Sequence, residues 1–103
     1  MTKKQAIKKT VEHWARMIKW VEGLKNKRAK ADGRVMQETI KEDWYADNCA
    51  LCKLYNQTPD YCDKCPLKLK YKACGAWGGV NNAVTWKGWL QHAKRMLKQL
   101  KSL

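Results

Sequence analysis

The sequence predicts a mainly α-helical fold: a small helical domain of about three helices with a stapled, Cys-rich loop region between the second and the third. Three observations carry this. Apolar residues recur at helical spacing near both ends of the chain. Asp32-Gly33 and Asn81-Asn82 mark breaks between the periodic stretches. Residues 48–82 hold all five cysteines and show no sustained period. At 103 residues the chain is of single-domain size. A hydrophobic share of 45% excludes a disordered basic tail.

Residues 3–30 read as the first helix. Ile7, Val11, Trp14, Ile18 and Val21 fall four, three, four and three residues apart, on one stripe. Lys8–Glu12 and Glu12–Arg16 are i,i+4 pairs. Gly23 is costly in a helix interior, so the helix bends or ends near it. Asp32-Gly33 reads as the stop. Residues 34–47 read as a second, acidic helix, with Met36, Ile40 and Trp44 four apart and Glu38, Glu42, Asp43 and Asp47 among them. Residues 83–101 read as the third, capped by Asn82. Trp86, Trp89, Leu90, Ala93, Met96, Leu97 and Leu100 fall on one side of it and Lys87, Gln91, Lys94, Arg95, Lys98 and Lys101 on the other.

The intervening 48–82 region is too long to stay compact without internal structure or a staple. Cys49-Ala50-Leu51-Cys52 and Cys62-Asp63-Lys64-Cys65 are two C-x2-C knuckles with nine residues between them, and Cys74 follows after eight more. A C-x2-C turn aims two sulfurs at one point, and two turns complete a tetrahedral thiolate shell for zinc. The spacer is shorter than that of a common zinc ribbon, and five cysteines exceed the four required. Pro66 cannot donate a backbone hydrogen bond beside Cys65, so Cys74 is available to replace Cys62 or Cys65. A four-thiolate iron–sulfur cluster is the alternative cofactor. A saturated thiolate shell is structural, and its binding energy becomes folding energy for the loop region. The expectation is thus a metal-stapled Cys-rich region.

Charge is the second theme. Lys and Arg outnumber Asp and Glu by 22 to 9, for a net charge of +13. Residues 1–30 carry ten cations against two acids, residues 31–48 two against five, and residues 77–103 five cations and no acid. Self-repulsion on this scale opposes folding, and a polyanionic partner offsets it. The candidate contacts are Lys8, Lys9, Arg16 and Lys19 on the first helix and Lys94, Arg95 and Lys98 on the third. Lys68, Lys70 and Lys72 share one side if their segment is extended. The alternative reading of each basic face is a solvated helix surface. The acidic 34–47 segment is placed to neutralise one such face internally.

By helical angle Trp14, Trp86 and Trp89 belong to the core. Trp20 falls on the cationic side of the first helix, beside Lys9, His13 and Arg16, where an indole stacks on a base or docks into a protein unless it is covered by the loop region. Trp77 reads as a plug over the metal loop, with an exposed hinge as the alternative. His13 and His92 read as polar surface positions at the helix margins. No nucleophile–histidine arrangement and no Gly-rich phosphate loop is present, so no enzyme and no small-molecule substrate is expected. A membrane span and a secretory signal are not expected either, which points to the cytoplasm and reduced thiols.

Cys49-Ala50-Leu51-Cys52-Lys53-Leu54-Tyr55 and Cys62-Asp63-Lys64-Cys65-Pro66-Leu67, with Cys74 and flanking Trp-bearing helices, resemble the small Cys-rich accessory proteins of tailed bacteriophages, whose cysteines are read as zinc ligands. The resemblance covers roughly residues 44–77 and part of both outer helices. It implies a structural metal and a host-cell cytoplasmic setting, and it brings no established activity. The resulting expectation is a small basic zinc-binding protein that binds nucleic acid through phosphates with little sequence specificity. The alternative is an adaptor or inhibitor that docks onto an acidic host protein to modulate transcription or host defence.

Overall fold

The structure, a computed structural model, describes residues 2–45, 66–71 and 76–103. These are mainly helical, as expected. Helix α1 runs Lys3–Glu22, α2 Gly33–Ile40, α3 Pro66–Tyr71, α4 Trp77–Asn81 and α5 Trp86–Lys101.

Helix α1 opens with a reciprocal capping box: the Gln5 N–H donates to Thr2 Oγ1 at 3.1 Å and the Thr2 N–H to Gln5 Oε1 at 3.0 Å. It stops at Gly23 rather than at residue 30. Residues 24–31 leave the helix axis and lie across the start of α5. There the Trp86 N–H donates to the Ala29 carbonyl at 3.1 Å and the Lys87 N–H to that of Lys27 at 2.7 Å. The first N–H groups of a helix have no partner within it, so this loop supplies acceptors that α5 needs. Thr85 caps the remaining donor, Gly88 N–H, at 3.3 Å.

The reading of Asp32-Gly33 as a stop is corrected: Asp32 starts α2, its carboxylate accepting from Arg34 N–H at 2.9 Å. Gly33 is there because the Tyr45 ring lies where a side chain would be, 2.8 Å from the place of a Cβ. Helix α2 has eight residues rather than the fourteen of 34–47. Lys41, at φ 60°, takes the left-handed conformation that ends it. Trp44 therefore reaches the core from a bend beyond α2. Two segments assigned to the irregular 48–82 region, 66–71 and 77–81, are helical. Asn82 closes α4 instead of opening α5, its Nδ2 donating to the Gly78 carbonyl at 2.9 Å. The five cysteines lie outside the described residues, and with them the metal staple.

Helices α1 and α5 pack on one another, as expected of the two long helices, and α4 packs on α5. The core between them is aromatic. Trp14 stacks on Trp89 at 6.3 Å, Trp86 meets Trp89 at 5.8 Å, and Trp44 touches both Trp86 and Trp89, at 6.0 and 5.5 Å. Met17, Val21, Met36, Val80 and Leu100 fill the space around them. Indoles bury a large apolar area each, and offset or edge-on contacts add to it. The α1 stripe is turned from the expected one: Trp14, Ile18 and Val21 are buried, Ile7 and Val11 only half-buried, and Ala6, Thr10, His13 and Met17 complete the face.

Candidate nucleic-acid interface

Packing these faces inward turns two sets of cations outward. On α1, Lys8, Lys9 and Lys19 are exposed. They do not form a clean cationic face, since Glu12 shares a shallow depression with Gln5, Lys8 and Lys9.

Arg16 is engaged. Its guanidinium grips Glu42 through Nη2 at 2.6 Å and Nε at 2.8 and 2.9 Å. Glu42 also accepts from His13 Nδ1, 2.9 Å away. The Arg16 hydrogen bonds, helped by His13, hold the Glu42 carboxyl below its ordinary range against the opposing effect of burial. The same contact raises the Arg16 guanidinium. The acidic segment thus neutralises part of the α1 face, as its placement in the sequence suggested. His13 is not a surface residue: it is 6% exposed, and its Nε2 is buried with no partner among the described residues. His92 is half-buried over Gly79.

Helix α5 is different. Lys87, Lys94, Arg95, Lys98 and Lys101 are all exposed on its outer side, with Gln91 among them and no acid anywhere in the helix. Among the described residues one of these cations is paired: Lys94 Nζ lies 3.4 Å from Glu22 at the end of α1, and both groups are about half exposed. Such a pair is weak and easily exchanged for a ligand anion.

The other predicted residues separate. Lys68 and Lys70 lie in helix α3 and not in an extended segment. Lys70 Nζ donates to the Ser102 carbonyl at 3.0 Å and to its Oγ at 3.2 Å, while the Tyr71 hydroxyl bonds the same Oγ. Lys70 therefore ties α3 to the end of α5. Lys72 and Cys49, Cys52, Cys62, Cys65 and Cys74 lie outside the described residues. Trp20 is half-buried and packs edge-on against Trp86 of α5 at 5.4 Å; most of the loop region expected to cover it lies outside the described residues. Trp77 donates its indole N–H to the Trp44 carbonyl at 2.7 Å. Among the described residues no group of three or more His, Cys, Asp or Glu could hold a metal ion. None of the described helices is long and apolar enough to cross a membrane.

Sequence reasoning missed Lys25, Arg28 and Lys30, exposed on the loop pinned to α5. Their signal was the clustering of Lys25, Lys27, Arg28 and Lys30 within six residues, just after a glycine able to end the helix. The fold and surface define a small, mainly helical protein with an aromatic core and a cationic exterior. Comparison with family models, with curated proteins and with solved structures returned no match to this chain.

Proposed function

We propose that this chain is a binding protein and not an enzyme, and that it holds nucleic acid through its phosphates with little sequence specificity. The observation that carries the reading is the outer side of α5, where five cations are exposed on a helix with no acid of its own and, among the described residues, only Lys94 meets one, Glu22 of α1. Such a surface gains from counterion release on meeting a phosphate backbone. Contacts from cationic side chains to phosphates position a protein on nucleic acid but carry no sequence information directly. The packing of Trp86 and Trp89 beneath that surface gives it a rigid base.

The test is binding to duplex DNA and RNA over a range of salt. A steep linear fall of log affinity with log salt supports the reading. Weak, unsaturable binding, together with nuclease-resistant capture of one acidic host protein, removes it in favour of the adaptor or inhibitor of such a protein.

With this goes a structural zinc, held by four of Cys49, Cys52, Cys62, Cys65 and Cys74, in a protein of the phage accessory type acting in the host cytoplasm. Two C-x2-C pairs supply a donor set suited to zinc. Native mass spectrometry is expected to show one zinc per chain, released by a strong chelator with loss of helical signal or thermal stability. A metal-free chain whose melting is unchanged by the chelator overturns the assignment, and a coloured, iron-containing chain replaces it with the iron–sulfur alternative.

A further inference from the structure

We infer that the ligand-bearing surface is a composite of the outer side of α5 and the 24–31 loop docked on its first turn, and that its ligand is a double-stranded backbone; this rests on the nucleic-acid reading above. The loop is fixed to α5 by backbone hydrogen bonds: Trp86 N–H to the Ala29 carbonyl, Lys87 N–H to that of Lys27, and Ala31 N–H to that of Val84 at 2.9 Å. Lys25, Arg28 and Lys30 are exposed on it. The pinned loop thus adds three exposed cations next to the first turn of α5. Because the loop's carbonyls occupy the first N–H groups of α5, the helix terminus is closed to an anion, and side chains must do the binding.

The α1 surface is the weaker competitor. Glu12 lies among its lysines and Arg16 is committed to Glu42. The α5 cations, by contrast, run from Lys87 to Lys101, about 21 Å at the ordinary helical rise. A duplex alongside presents about a dozen phosphates over that length, twice the number of a single strand in the same geometry. A single strand would recover the difference by stacking bases on aromatic rings. Trp20, the one indole that helical spacing placed on a cationic side, is packed edge-on against Trp86, and Trp86 and Trp89 are buried.

The test uses the full-length protein in three substituted forms, each with three cations made neutral: K87Q/K94Q/K98Q on α5, K25Q/R28Q/K30Q on the loop, and K8Q/K9Q/K19Q on α1. Lys and Gln differ little in helix propensity, so folding is preserved and is checked by circular dichroism. Affinity for a short duplex and for either of its strands is measured by anisotropy between about 0.05 and 0.2 M salt. The α5 and loop forms are each expected to lose about tenfold or more in duplex affinity and to flatten the salt slope by about one per contact removed. The α1 form is expected to lose about threefold or less. An α1 form that loses as much as the α5 form overturns the composite surface. Tighter binding of the single strand than of the duplex, with quenched tryptophan emission, overturns the choice of ligand. Wild-type protein that binds neither overturns the nucleic-acid reading itself.

Discussion

At the scale of single residues, Glu42 joins distant parts of the chain. It lies 26 residues from Arg16 and 29 from His13, and its carboxylate is hydrogen-bonded to both. Charge-assisted hydrogen bonds at a half-buried site are worth about 1.5–3 kcal/mol when lost. Glu42→Gln is therefore expected to lower unfolding free energy by about 1–3 kcal/mol in urea. Glu42 has a folded pKa below its ordinary value of 4.5. Its contribution is complete above that value and is lost as pH falls through the lowered folded value. The wild type is thus expected to lose stability below about pH 4.5 more steeply than Glu42→Gln, which a pair of thermal melts over that range would show. A parallel acid limb in both proteins contradicts this. The acidity of the segment and its charge complement to the first helix were legible from composition. The choice of Arg16 as partner was not, because nothing local in the sequence relates positions so far apart. The burial of His13 escaped for the same reason: a polar ring on the rim of an apolar stripe is drawn inward only by a carboxylate that the fold supplies.

At the scale of elements, α1, α2 and α5 were legible, α3 and α4 were not, and most helix ends escaped. Apolar spacing located α1, α2 and α5, since burying one face is what selects a helix. The ends depend on single residues with more than one use. Asp32 can follow a helix or cap the next, and here its carboxylate meets Arg34 N–H. Asn82 can open a helix or close one, and Thr85 took the opening role. Nothing in an apolar pattern marks Lys41, a lysine at φ 60°. That conformation costs a side-chain-bearing residue about 1 kcal/mol relative to glycine. Lys41→Gly is therefore expected to raise stability by up to about 1 kcal/mol, read from the urea midpoint; a loss would show that the lysine side chain contributes more than the backbone gains. The paired glycines of α4 give a sharper contrast. The His92 imidazole occupies the place of a Cβ on Gly79, whereas nothing lies within 4 Å of one on Gly78. Gly79→Ala must push His92 and α5 away and is expected to cost about 1–3 kcal/mol. Gly78→Ala is expected to gain about 0.5–1 kcal/mol from helix propensity. Equal effects would mean that α4 does not sit against His92.

At the scale of the whole molecule, stability and binding draw on one charge in opposite directions. The cations of α5 and the 24–31 loop were in plain view in the sequence as numbers, but only the fold brings the two sets together, through the Lys27 and Ala29 carbonyls. The core beneath them, Trp14, Trp89, Met17, Met36, Val21, Val80 and Leu100, is fully buried. What opposes it is a net charge of +13 confined to a small body. Salt shortens the reach of that repulsion from about 30 Å at 0.01 M to a few ångströms at 1 M. It weakens the partly buried Glu42–Arg16 contact much less, because screening acts mainly on charges in water. Sodium chloride is therefore expected to raise the melting temperature, by about 4–8 °C for each kcal/mol of repulsion relieved in a domain of this size. Over the same range it is expected to weaken nucleic-acid binding, since counterion release loses its advantage. A short duplex at low salt should reproduce the thermal gain by neutralising the same cations directly, with the two effects failing to add once both are present. A melting temperature that falls with added salt would mean that the ion pairs within the protein outweigh the repulsion among its unpaired cations, and the excess positive charge would no longer need a partner to explain it.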